Sequence, residues 1–89
     1  MSTRQIIEQS RFKKHLKHLL QAGRFTQADY QQVLDYLRAG EPFPEKYDDH
    51  VIKKRKTDRA LFIKGNWLLI YRLEANAIRL LDVGRHGEI

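Results

Sequence analysis

The chain has 89 residues and a formal charge of +6, from 17 Lys and Arg against 11 Asp and Glu. Its hydrophobic content of 42% is too high for a wholly disordered chain, and the absence of cysteine removes a disulfide framework and any thiolate metal site. No apolar run approaches the roughly 20 residues that cross a bilayer, so no membrane partner is expected. The N-terminus lacks an apolar signal core, and a cytoplasmic protein is expected. A core this small cannot usefully be divided, which predicts one domain over residues 1–89. The basic excess points to a polyanionic partner, nucleic acid first and an acidic protein second.

In chain order, the stretch Arg4 to Gln9, centred on Ile6 and Ile7, reads as an opening strand. From Arg11 to Ala22, Phe12, Leu16, Leu19 and Leu20 recur at helical spacing, with Ser10 in position to cap the helix and Gly23 just past its end. A second helix starts at Thr26, whose hydroxyl and the Asp29 carboxylate have the spacing of a reciprocal cap, while Phe25 and Tyr30 occupy hydrophobic-staple positions. Tyr30, Val33, Leu34 and Leu37 form its apolar stripe, and Gly40 can end it in the left-handed conformation.

A loop from Glu41 to Lys56 carries both prolines, Pro42 and Pro44. Three apolar runs follow, Ala60 to Ile63, Trp67 to Leu73 and Ile78 to Val83, parted by Gly65-Asn66 and Ala75-Asn76. They read as a meander of strands. The predicted fold class is α+β in two layers, an N-terminal helical hairpin packed on a mostly antiparallel sheet of three to four strands.

If both strand connections are two-residue turns, residue 64 pairs with 67 and 63 with 68, and residue 74 pairs with 77 and 73 with 78. That register sets Arg59 opposite Arg72 and Arg72 opposite Arg79. Arginines directly across from one another repel unless an anion or carboxylates sit over them, so the row is either a phosphate cradle or a set of separate surface arginines whose stems cover apolar sheet. A one-residue slip would scatter it. Beside the row runs Lys53-Lys54-Arg55-Lys56, an anion patch that gains weight as a nucleic-acid contact from its neighbours.

Metal-free RNA cleavage needs a base for the 2′-hydroxyl, an acid for the leaving oxygen and cations for the extra phosphate charge, and histidine titrates in the useful range. His50 follows Asp49 in the loop, and His86 follows Gly84-Arg85 after the last strand. His15 and His18, three apart on the first helix, have a spacing that can hold a metal, but no cysteine or acidic residue at matching spacing completes the set, so they read as a solvated helix face. No metal or other cofactor is expected.

The segment Pro44-Glu45-Lys46-Tyr47-Asp48-Asp49-His50, then Arg59, then Asn66-Trp67-Leu68-Leu69-Ile70-Tyr71-Arg72-Leu73, then Gly84-Arg85-His86, resembles the YafQ branch of RelE-superfamily toxins. That branch typically reads P-x-x-Y-x-D-H, a basic loop, an arginine entering the next strand, D-W-x-L-x-Y-x-[LV] and a closing G-x-H. The resemblance implies a type II toxin that is a ribosome-dependent, metal-independent mRNA endoribonuclease. Its implied partners are mRNA on the ribosome and a co-expressed acidic antitoxin, with DNA contacted only indirectly through the antitoxin complex. It also implies that His50 and His86 are the acid and base candidates, with Arg59 as a catalytic phosphate ligand beside the loop of Lys53, Lys54, Arg55 and Lys56; Arg72 and Arg79 of the row, and Arg85, are the further candidate nucleic-acid contacts. The chain departs from the pattern where the family's strand histidine is Phe62, its Asp before the Trp is Asn66 and an Arg of the last strand is Asp82. An aromatic residue near the C-terminus is also missing. A non-catalytic, protein-binding toxin of the same fold (ParE-like) and an inactive variant are the alternatives.

Overall fold

The computed structural model describes residues 4–40 and 42–89, with the backbone alone at Lys56; Glu41, the first residue of the predicted loop, and the Lys56 side chain lie outside the described residues. The chain begins with β1 (Gln5–Glu8) and enters α1 (Ser10–Gln21) after one residue. Gln9 keeps extended geometry because its N–H still donates to the Leu80 carbonyl at 3.1 Å, so Gln9 is the capping position and Ser10 is already helical. The predicted Ser10 cap is therefore corrected, and α1 has no side-chain cap. At its far end the Arg24 N–H reaches the Leu19 carbonyl and the Gly23 N–H reaches that of Leu20, a paired closure that needs the positive φ of 71° at Gly23.

The second helix, α2 (Gln27–Ala39), carries the predicted reciprocal cap, with Asp29 N–H on the Thr26 hydroxyl at 3.1 Å and Thr26 N–H on the Asp29 carboxylate at 2.9 Å. Those bonds hold the Asp29 carboxyl below its usual range, the backbone bond from Thr26 first. Gly40 ends the helix at φ 70°.

Within the predicted loop lie a short 3-10 turn (Glu45–Tyr47) and a strand, β2 (His50–Ile52). Two-residue turns then join β2 to β3 (Arg55–Lys64) and β3 to β4 (Trp67–Leu73), and β5 (Ala77–Arg85) closes the chain. The sheet has five strands in the order β1-β5-β4-β3-β2. It is antiparallel except for β1, which lies parallel to β5. The architecture is the predicted helical pair on a largely antiparallel sheet, with more strands than expected because β2 is too short and too close to the basic run to show a periodicity of its own.

Alternation along β3, β4 and β5 gives the sheet two unlike faces. One buries Leu61, Leu69, Ile78 and Leu80, each 0% exposed, against Phe12 and Val33 of the helices, also 0% exposed. Each such side chain contributes roughly 1.5–3 kcal/mol by leaving water. Tyr30 ties α2 to β1 by donating to Glu8 at 2.5 Å, and burial, then that bond, raises its pKa. Tyr36, Phe43 and Tyr47 stack with centroids 5.4 to 5.6 Å apart and pin the proline segment that leads into β2.

Candidate active site

The other face has a small apolar floor of Ala60, Leu68 and Ile70, flanked by Ile52, Phe62 and Leu81. Both helices pack on the opposite side, which leaves this face to carry polar groups.

His50 opens β2 opposite Ala60, which sets it on this face, and its side chain is 48% exposed. Its Nδ1 donates to the Asp48 carbonyl at 2.6 Å. A carbonyl can only accept, so the neutral ring keeps its proton on Nδ1 and presents the Nε2 lone pair outward. Asp48 aims that carbonyl by adopting φ 46°, a left-handed conformation that is strained for a residue with a side chain. The next residue, Asp49, turns to the helix side, where it ion-pairs with Arg59 at 2.8 Å and accepts from the Tyr71 hydroxyl. Arg59 also donates to Tyr71 at 3.2 Å. The Asp49 bond, then the Tyr71 bond, holds Arg59 more firmly protonated, while burial first and Asp49 second raise the Tyr71 pKa. This network braces the corner from which His50 projects.

The predicted arginine row is corrected. A bulge between Phe62 and Lys64 keeps the 64–67 pair but shifts the rest, so Phe62 rather than Ile63 pairs with Leu68 and Arg59 faces Tyr71 rather than Arg72. Arg59 consequently lies on the helix side, away from the other arginines. In the second hairpin the expected register holds, with Leu73 opposite Ile78 and Arg72 opposite Arg79. Their repulsion is relieved by carboxylates rather than left for an incoming anion. Arg72 donates to Asp58 at 2.8 Å and Arg79 to Glu74 at 3.1 Å, which lowers the Glu74 pKa and raises that of Arg79. Asp58, only 2% exposed, also draws in Arg55 at 3.6 Å.

A cavity of about 600 Å³ opens here, lined by Arg11, Arg55 and Arg72 and by Asp58, Asp82 and Glu88, so its formal charges balance. Beside Arg55, Lys53 and Lys54 form the exposed tip of the β2–β3 hairpin and make no ion pair among the described residues. At the far end of the sheet the His86 N–H bonds the Asn66 carbonyl at 2.7 Å, and its ring sits 5.6 Å from that of Phe62. Ala60 pairs with His50, and Phe62 lies two residues further along the same face of β3. That step is about 7 Å, so both histidines border one stretch of surface.

Asp82, where the resemblance expects arginine, accepts from His15 Nδ1 at 2.6 Å and so ties β5 to α1. Arg85 pairs with Trp67 and belongs to the groove beside α1 rather than to the open face. Among the described residues no group of three or more His, Asp or Glu side chains could hold a metal ion. Sequence reasoning missed Asp58, Arg11 and the carbonyl of Asp48. A lone acid within Arg55-Lys56-Thr57-Asp58-Arg59 was the available signal for the first, whereas the other two depend on tertiary placement alone.

The family model described as bacterial toxin of type II toxin-antitoxin system, YafQ, matches residues 4–89. A copper-bound mutant toxin from Helicobacter pylori has a similar structure, with TM-score 0.90 and 30% identity over 97% of this chain and 98% of that one. The Escherichia coli DinJ–YafQ toxin–antitoxin complex gives TM-score 0.84 at 25% identity over 98% and 97% of the two chains. YafQ from E. coli strain BL21(DE3) gives 0.80 at 26% identity over 92% of each. No curated protein sequence matches the chain. With the family model matching residues 4–89 and the fold shared with these toxins, the chain belongs to the YafQ family of bacterial type II toxins.

Proposed function

We propose that this single-domain toxin is an endoribonuclease that cuts mRNA on the ribosome and is silenced by an acidic antitoxin, in keeping with the antitoxin in the E. coli DinJ–YafQ complex. The observation that carries the reading is His50, with its Nδ1 proton engaged by Asp48 and its Nε2 free, on the same face as His86. His50 Nε2 takes the proton of a 2′-hydroxyl, whose oxygen attacks the adjacent phosphorus. His86 gives a proton to the departing 5′-oxygen, leaving a cyclic phosphate and a free hydroxyl end. Lys53 and Lys54 at the hairpin tip, with Lys56 next in sequence, draw in the backbone, and Arg55, Arg72 and Arg79 offer its phosphates the guanidinium donors that Asp58 and Glu74 leave free. Arg59 leaves this set. Its bonds to Asp49 and Tyr71 make it a positioning residue for the His50 corner.

The test is induction of the toxin with mapping of transcript ends. Cuts inside codons that vanish in His50→Ala and His86→Ala are expected, and intact transcripts in a growth-arrested culture would overturn the reading. A second reading, arrest by protein binding without cleavage, draws on Phe62, which fills the space beside His86 with an apolar ring. Arrest that persists unchanged in the double variant would favour it.

A further inference from the structure

A second groove, of about 540 Å³, lies around the rim of the sheet from His86. One wall is α1, which contributes His15 and His18, and the other is the end of β5, with Arg85 paired to Trp67. Arg24 closes the end with its guanidinium 5.6 Å from the centre of the half-buried Trp67 ring. Glu88 is the acidic side chain on the rim, and Asp82 behind it is already bound to His15.

The feature is distinct from the pocket on the open face. There, arginines are matched by carboxylates; here, Arg24, Arg85 and His18 have no ion-pair partner among the described residues. An indole with a guanidinium over it, ringed by donors, is a platform for a flat, electron-rich ring attached to an anion. An acidic peptide would use the charges but would leave the ring system without a stacking partner. The two sites are also contiguous. Asn66 and Trp67 lie beside Arg85 and His86, and the His86 N–H bonds the Asn66 carbonyl, so a strand leaving His86 at this edge meets Trp67 next.

We infer that this groove binds a nucleotide of single-stranded RNA flanking the one that is cut, its base stacked at Trp67 and Arg24 and its phosphate held by Arg85 and His18. The inference rests on the RNA-cleavage reading and adds to it a track for the strand outside the reacting residues.

Trp67 is the sole tryptophan, so its fluorescence reports on this groove directly. The folded wild-type chain is titrated with single-stranded RNA of roughly 12 nucleotides, while a labelled copy reports overall binding by anisotropy. Saturable quenching that tracks the anisotropy is expected. Arg24→Gln with Arg85→Gln should weaken binding about tenfold and flatten its salt dependence by one to two ions, with circular dichroism confirming an intact fold. Binding by anisotropy without quenching, and without loss in the double variant, would overturn the groove while leaving RNA cleavage standing. Absence of both binding and cleavage would remove both, and quenching by poly-glutamate but not by RNA would assign the groove to a protein partner.

Discussion

The two faces of the central sheet are made from the same strands, one residue out of step, and they solve opposite problems. Toward the helices, Leu61, Leu69, Ile78 and Leu80 are sealed from water, and the buried Tyr71 hydroxyl is satisfied by Asp49 and Arg59. Toward solvent, charges accumulate in compensated sets around Asp58, Arg72 and Arg55, with histidines at the edges. Apolar burial is concentrated on the first face and charge on the second. The strand period makes this partition possible, because each side of a strand can be chosen almost independently of the other.

The comparison predicts that damage to the helix-side face acts through folding. Leu61→Ala should cost about 2–5 kcal/mol, read as a lowered urea midpoint with toxicity lost in proportion to unfolded protein. Alkali probes the same face. Tyr30 and Tyr71 have folded-state pKa values raised above their ordinary 10.0, so their neutral forms stabilise the fold fully below that pH. This contribution is lost as pH rises through the raised values. Phenolate absorbance and circular dichroism should therefore change together above pH 10, and phenolate appearing with the fold intact would contradict the buried placement.

On the open face the expected signature reverses. His50→Ala or His86→Ala should reduce RNA cleavage at least about 100-fold with an unchanged urea midpoint. Asp58→Asn mixes the two behaviours, because its carboxylate is 3% exposed while Arg72 is 40% exposed. It should lower stability by about 1–3 kcal/mol yet strengthen RNA binding and steepen its salt dependence, since Arg55 and Arg72 are released to the solvent side. Weaker RNA binding in that variant would show that the arginines act only as a structural clamp. The smallest effect is expected at Thr26→Ala, about 1 kcal/mol from losing one half of the reciprocal cap, with cleavage per folded molecule unaltered.

What the sequence disclosed follows the range of the interactions involved. The α2 cap, the glycine terminations and the β4–β5 register are fixed by residues within a few positions of one another, and each was readable as a local pattern. The β3–β4 bulge was not, because Lys64, Gly65, Asn66 and Trp67 fit a two-residue turn whether or not Ile63 is accommodated as an extra residue. That single residue moves Arg59 to the other face and leaves Arg72 and Arg79 as the remaining pair of the predicted row. His50 and His86 are candidates that ordered motifs single out, but the carbonyl that orients His50 and the carboxylate that separates Arg72 from Arg55 can be seen only in three dimensions. Asp82 changed meaning in the same way: a departure from the family pattern in sequence is, in space, the partner of His15.

The parallel pairing of β1 with β5 joins Gln5 to Ala77, so nearly the whole chain must be in place before the first strand finds its neighbour. Contacts of such long separation slow folding, because the entropy of closing the loop is met before the pairing compensates for it. The same late strand leads directly into His86. During synthesis the chain therefore acquires its hairpin of helices early, and His50 and His86 come to border one face only last, with the completed sheet.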